Sequence, residues 1–265
     1  MLVDMAALAA DLAAESAVTR ALVVGLDEAG WRTPTPAAGW NIADQISHLA
    51  YFDEVTVQSA VAPEQFKAEL AAAEADGGIN PDTIAARFRD RTGAQLLAWF
   101  DAARADLIGI FTGLDPRARL PWFGPAMSAA SSLTARIMET WAHTQDIADA
   151  LGVTREPTTR LRHVAHIGVG ARAFSYAVHG RTPPPDPVRV ELIPPSGPDG
   201  ARWTWGQEDA MDRVTGPALD FCLLVTQRRH RDDLALAIDG PAATEWMTIA
   251  QAFAGTAGPG RSPQG

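Results

Sequence analysis

The chain has one cysteine, one lysine and no apolar run long enough to span a bilayer. Cys222 is the only cysteine among 265 residues, so no internal disulfide can form and a reducing cytoplasm is the expected compartment. It sits in Phe221-Cys222-Leu223-Leu224-Val225, the setting of a buried, inert thiol rather than a nucleophile. Lys67 is the one lysine, so arginine supplies nearly all of the 22 basic side chains; 32 acidic ones outnumber them and leave a net charge of −10. A nucleic-acid partner or an anionic membrane surface would need a basic stripe, and this balance argues against both. No apolar stretch approaches the roughly 20 residues that cross a bilayer. The Met5-Ala6-Ala7-Leu8-Ala9-Ala10 stretch does not read as a signal sequence, because Asp4, Asp11 and Glu15 punctuate it and no basic segment precedes it. Also missing are a Gly-x-Ser-x-Gly elbow, a Walker loop, a Gly-x-Gly-x-x-Gly turn after a strand and a His-Glu-x-x-His helix.

What is present reads as a soluble globular protein, with 47% hydrophobic and 20% charged residues and enough length for one large or two modest cores. Apolar positions at Met5, Leu8, Leu12, Val18, Leu22 and Leu26 predict a first helix over 3–29, stopped at Gly30. Asn41 is the expected N-cap of a second helix, with Asp44 near its positive end and Ile42, Ile46, Leu49 and Phe52 as its apolar face. After Gly77-Gly78, Asn80-Pro81 restarts a helix, and Ile84, Phe88, Leu96, Phe100, Leu107, Phe111 and Leu114 trace it as one long rod. The apolar loop Leu120-Pro121-Trp122-Phe123-Gly124-Pro125 either packs over the bundle mouth or lines a pocket. A fourth helix spans about Ser128 to Leu151, and a fifth runs from about Thr159 to His179.

Composition shifts at residues 181–187, Arg-Thr-Pro-Pro-Pro-Asp-Pro, which read as a stiff linker. Strands follow at 188–192 and 202–205, separated by a Ser-Gly-Pro-Asp-Gly turn region, then a helix from Thr215 to about Arg228, a strand over 234–238 and a closing helix over 244–253. The expected architecture is mainly α with a smaller α+β part: a helical bundle over residues 1–180, the linker, a small α+β domain over 188–254 and a flexible Gly/Pro-rich tail over 255–265.

The residues that carry chemistry lie on the fourth helix. Glu139 and His143 are four apart, which stacks both side chains on one helical face and lets a carboxylate oxygen and an imidazole nitrogen converge. His48, two turns into the second helix, is the best third partner elsewhere in the chain. A His, Glu, His set suits zinc, with nickel, iron or another divalent ion also accommodated, and three protein ligands leave one position open. Such a metal either ionises a bound water or delivers a thiol as thiolate. The same spacing also occurs as a plain i,i+4 contact on an exposed helix. His163 and His166, three apart near the start of the fifth helix, read as structural or as neighbours of a ligand.

The stretch from Gly39-Trp40-Asn41 to Ser47-His48-Leu49-Ala50 resembles the tryptophan-to-His-Leu signature of the DinB-like superfamily, in its actinobacterial branch related to mycothiol-dependent maleylpyruvate isomerase. Glu139-x-x-x-His143 followed by Asp146-Ile147-Ala148 resembles that branch's second metal motif. The Pro121 to Pro125 loop and the Val214 to Cys222 segment are similar to a subgroup of uncharacterised metal-binding proteins within it. The resemblance implies a metal-binding helical bundle with His48, Glu139 and His143 as ligands, and mycothiol or another low-molecular-weight thiol as cofactor. It implies addition of that thiol to an electrophilic small molecule, giving isomerisation or S-transfer. A metal-dependent hydrolase and a non-catalytic binding module are the alternatives. Trp122 and Phe123 are then candidate cofactor-contacting side chains, and Arg228 or Arg229 would hold a substrate carboxylate in a bidentate fork or simply cap a helix end. Asp146 would orient His143 or be an ordinary helix-surface acid. The expected partner is a small-molecule substrate, with the chain a monomer or homodimer.

Overall fold

The computed structural model of the chain describes residues 3–195 and 201–264. Its contacts divide it into two compact units, Met1–Arg155 and Glu156–Gly265. The first carries α1 (Met5–Val23), α2 (Glu28–Trp31), α3 (Ile42–Val61), α4 (Pro63–Ala75), α5 (Pro81–Ala86), α6 (Gly93–Thr112), the hairpin β1 (Arg119–Trp122) and β2 (Gly124–Ser128), and α7 (Ala129–Ala150). The four long helices form a bundle in which α3 packs on α6 and α7, and α1 packs on the same two.

Local chemistry fixes where the two site-bearing helices begin. Asn41 caps α3 by accepting from the Asp44 amide, while the Asp44 carboxylate accepts from the Asn41 amide, a reciprocal box that satisfies two otherwise orphaned donors. Arg89 grips both Asp44 oxygens, at 2.9 and 3.0 Å. Ser128 caps α7 by accepting from the Ser131 amide.

Two apolar clusters fill the bundle. One gathers Leu8, Leu12, Leu107, Phe111, Leu133 and Ile137; the other gathers Val23, Ile42, Ile46, Leu49, Phe100 and Ile147. Between them along the helices lies a polar layer: Ser16 and Thr19 on α1, Arg104 on α6, and Thr140 and Thr144 on α7, all buried.

The structure corrects several helix boundaries. The first helix stops at Val23, and α2 is a separate short turn capped by Asp27. A helix not expected, α4, begins at Pro63 directly after α3. The long third rod is two helices, because Thr92 opens α6 with its own capping box to Gln95. Gly93, beside that cap, is pressed on Trp31 so closely that a Cβ there would fall 2.1 Å from the indole nitrogen. The 120–125 loop is the β1–β2 hairpin, with Phe123 between the strands.

The second unit comprises α8 (Leu161–Gly170), α9 (Arg172–Val178), β3 (Val188–Ile193), β4 (Trp203–Trp205), β5 (Asp212–Pro217), α10 (Ala218–Val225), β6 (Ala237–Asp239) and α11 (Pro241–Ile249). Its sheet runs β4-β3-β5-β6, with β3 and β5 parallel and the outer pairs antiparallel. The expected fifth helix is divided at Ala171 into α8 and α9. The segment 215–217, expected to open a helix, is instead the end of β5, with α10 starting at Ala218. The units part before α8 rather than at the proline-rich segment 181–187, because α8 packs on α10 and α9 on α11. That segment joins α9 to β3, and Arg172 donates to the Pro184 carbonyl at 3.2 Å. Residues 255–264 have no regular structure, yet Gly258 donates to Gln251 and Gln264 to Asp233. The Ser-Gly-Pro-Asp-Gly turn region at 196–200 lies outside the described residues. No helix among those described is long and apolar enough to cross a membrane.

Candidate metal centre

His48 on α3 and Glu139 and His143 on α7 converge. Among the described residues they are the only set of three or more His, Cys, Asp and Glu side chains whose ligand atoms gather this closely, all within 4.8 Å of one another. Glu139 Oε2 lies 3.2 Å from His143 Nε2 and 3.8 Å from His48 Nε2. The second distance is too long for a hydrogen bond. Zinc–donor bonds of about 2.0–2.2 Å put tetrahedral donors roughly 3.3 Å apart, so these atoms already stand near the spacing a small divalent cation needs.

The surroundings fit that use. The side-chain amide oxygen Oε1 of Gln45, one turn before His48 on α3, takes the hydrogen bond of His143 Nδ1. That contact occupies Nδ1 and leaves Nε2, which faces Glu139, as the nitrogen open to a metal, the arrangement by which ligating histidines are usually oriented. Trp40 stacks on His143 with ring centroids 5.9 Å apart and planes 19° apart, and Phe52 packs on His48 at 4.6 Å. Burial, and then the neighbouring His143, push the His48 pKa down to about 4 against the pull of Glu139, so at neutral pH the ring is an uncharged donor. His48 Nδ1 is buried with no hydrogen-bond partner among the described residues. Burial alone would raise the Glu139 carboxyl, but the imidazoles of His143 and His48 overcome it and hold the group well below the usual carboxylate range. Two imidazoles and one carboxylate gathered at one point, with the His143 ring held from behind by Gln45, form a donor set that fits a divalent metal.

The structure places the other expected residues as follows. Phe123 reaches the centre through Phe52, at a centroid distance of 5.9 Å, and Trp122 stacks on Phe66 at 6.1 Å. The hairpin tip therefore stands behind an aromatic relay rather than against the ligands. His143 is oriented by Gln45, and Asp146 is a buried residue rather than a surface acid. His163 and His166 lie on α8 in the second unit, where His166 Nδ1 accepts from the Trp205 indole at 3.3 Å. Arg228 and Arg229 follow α10; Arg228 Nη1 donates to the Thr226 carbonyl and Arg229 Nη1 to the Arg228 carbonyl. Cys222 is buried, its thiol pushed well up by desolvation, in keeping with an inert role. Gln45 and Trp40 were not singled out from sequence as site residues, although both lie inside the motif that ends at His48.

Residues 12–148 match the family model described as the mycothiol maleylpyruvate isomerase N-terminal domain. The chain belongs to this family. The matched span runs from α1 to the last turn of α7 and contains all three members of the donor set. Two uncharacterized proteins of Mycobacterium tuberculosis, from strains CDC 1551 / Oshkosh and ATCC 25618 / H37Rv, are each 46% identical to this member over 252 residues, covering 95% of this chain and 97% of theirs. Two crystal structures of mycothiol-dependent maleylpyruvate isomerase, one of them a mutant, share its fold. Each has a TM-score of 0.57 over 91% of this chain and 96% of the other, at 14% and 15% identity. Residues 184–237, from just before β3 into β6, match a second model, described as wyosine base formation.

Proposed function

We propose that the chain is a metal-dependent enzyme that activates a low-molecular-weight thiol of the mycothiol type and adds it to an electrophilic small molecule, giving isomerisation or S-transfer. The observation that carries this reading is the convergence of His48, Glu139 and His143, with Gln45 Oε1 holding the His143 ring at Nδ1. Membership of a family described by mycothiol maleylpyruvate isomerase supports the choice of thiol chemistry. Zinc is the proposed ion, held by the two Nε2 atoms and a Glu139 oxygen, with one position left for an exogenous group.

A bound divalent cation supplies the charge that lets a thiol act as thiolate near neutral pH. The protein's own part is to keep the donors ready. His48 needs no deprotonation at neutral pH, Glu139 is ionised, and Gln45 and Trp40 hold the His143 ring in place. Phe52 puts apolar surface beside His48, with Phe123 packed behind it, which limits water around the reacting sulfur. The thiol releases its proton to water, and sulfur bonds to one carbon of an electrophilic double bond as that bond's π pair moves onto the conjugated carbonyl. The resulting enolate either takes up a proton or returns the pair and expels the thiolate, and the fate of that C–S bond separates the two outcomes. If it breaks again after rotation about a neighbouring bond, the result is isomerisation; if it persists, the result is S-transfer. Trp122 and Phe123 are proposed to contact the thiol cofactor, and Arg228 or Arg229 to pair with a substrate carboxylate.

The test is metal analysis of untagged protein followed by incubation with mycothiol and a panel of electrophiles. Zinc near one equivalent and zinc-dependent thiol consumption are expected, both lost in His48→Ala. Product without thiol would replace this reading with hydrolysis, and saturable thiol binding without turnover would replace it with a binding module.

A further inference from the structure

Five residues beyond His48 on α3, and three before Glu139 on α7, lies a second cluster that the donor set does not use. Asp53 is fully buried and its carboxylate bridges two guanidiniums, Oδ2 accepting from Arg104 Nε at 2.6 Å and Oδ1 from Arg136 Nε at 2.9 Å. Arg104 and Arg136 are only 4% and 3% exposed. Arg104 Nη1 also donates to Ser16 Oγ at 3.0 Å and Thr140 Oγ1 at 2.9 Å, and Arg136 Nη2 donates to the Leu49 carbonyl at 3.3 Å. The cluster thus joins α1, α3, α6 and α7, and its Arg136 arm ends on the residue next to His48.

Stability does not account for keeping it. Removing three charges from water costs more than their attraction returns in many proteins, and well-packed apolar replacements are often neutral or stabilising. One donor here, Arg104 Nη2, is buried with no partner among the described residues, a further cost. What a carboxylate bridging two guanidiniums, each tied to further partners, gives that apolar packing does not is a fixed distance and register. The register fixed here is that of α3 against α7, the two helices whose relative position sets the His48 to Glu139 separation. Thr140, held by Arg104, sits between Glu139 and His143 on the same helix and returns its own hydroxyl to the Arg136 carbonyl at 2.7 Å.

We propose that Asp53, Arg104 and Arg136 form a buried brace that positions α3 against α7, and so holds His48, Glu139 and His143 at metal-binding spacing. The inference rests on the metal-centre reading above. These three are positioning residues, acting through the ligands and touching neither metal nor substrate.

The test measures zinc affinity of the folded full-length chain by competition with a chromophoric chelator, together with the visible absorption bands of cobalt(II)-loaded protein. In the triple variant Asp53→Leu/Arg104→Met/Arg136→Met the charges are removed together, so folding is expected to survive. Zinc affinity is expected to fall about 10- to 100-fold, the range seen when support behind metal ligands is lost, and the cobalt bands to shift or broaden. Arg136→Lys keeps the charge but loses the fork, and should weaken zinc binding about tenfold even if the triple variant does not fold. Wild-type affinity and unshifted cobalt bands in whichever of these variants folds would overturn the brace, since a purely structural cluster changes melting temperature without changing the donor geometry. Wild-type protein that takes up no zinc, or a His48→Ala variant that binds it equally well, would instead overturn the metal centre itself, and the brace with it.

Discussion

The molecule holds two arginine–carboxylate clusters of nearly the same composition, and they differ in almost everything else. In the bundle, Asp53 is fully buried between Arg104 and Arg136. On the sheet of the second unit, Glu191 on β3 is flanked by Arg189 and Arg213 at 3.1 and 3.2 Å and by Arg202 at 4.0 Å, with side chains 15 to 50% exposed. The strand register explains that exposure: Val188, Val190 and Leu192 turn inward, so the alternating Arg189 and Glu191 project from the other face, where Arg213 of β5 lies opposite Arg189. Water and salt screen the second cluster and leave its geometry loose. The first has no water to fall back on, so each of its bonds constrains a backbone. The number of ion pairs is the same kind of fact in both places, and only burial decides whether it sets a structure.

The largest effect expected from breaking this contrast is Asp53→Ala. It leaves two buried guanidiniums without their anion, a change that costs about 3–5 kcal/mol, or roughly 6–20 °C in melting temperature for a domain of this size. A differential scanning experiment showing a loss below about 1 kcal/mol would mean the cluster is wetter or more adaptable than its burial indicates.

Next in size is the metal centre itself. Zinc at a free concentration 100 times its Kd should raise the stability of the wild-type chain by about 2.7 kcal/mol, and His48→Ala should abolish that increment. Equal zinc stabilisation of both proteins would remove His48 from the donor set. Gln45→Leu should cost about 10- to 100-fold in zinc affinity, because it frees the His143 ring to turn. Unchanged affinity would show that stacking by Trp40 is enough to hold the ring.

Much of the bundle was legible because its signals are local. The Asn41 and Ser128 caps, the apolar periods and the i,i+4 spacing of Glu139 and His143 all act within a few residues. The break before α6 was also written locally, in Thr92 and Gln95, but the apolar period continues through Phe88 to Leu96 and masks it. Strand β5 was missed because Gly216 and Pro217 are poor strand formers, and it is held by pairing on both sides, with β3 and β6. The partner of His143 was hidden for a different reason. Which α3 side chain meets Nδ1 depends on how two helices nearly a hundred residues apart are registered, and no local pattern encodes that. Asp53, Arg104 and Arg136 carry the residue types of a solvated face, and only the packing shows them to be dry.

The smallest effect belongs to Glu191, and its pH dependence tests why it is small. Hydrogen bonding to Arg189, with the charges of Arg189, Arg213 and Arg202, lowers the Glu191 pKa against a modest opposing effect of burial. A carboxyl lowered on folding adds stability that is present above its unfolded pKa and lost as pH falls through its folded value. Glu191→Gln should therefore lower the melting temperature slightly at pH 7, far less than Asp53→Ala, and the gap from wild type should close as the pH is taken below the unfolded carboxylate range. It should close at neutral pH too in about 1 M salt, where the screening length is roughly 3 Å. The Asp53→Ala deficit should persist in the same salt because its charges are shielded from the solvent. If the Glu191→Gln gap instead survives 1 M salt, the sheet cluster is held as firmly as the bundle one, and burial is not what separates them.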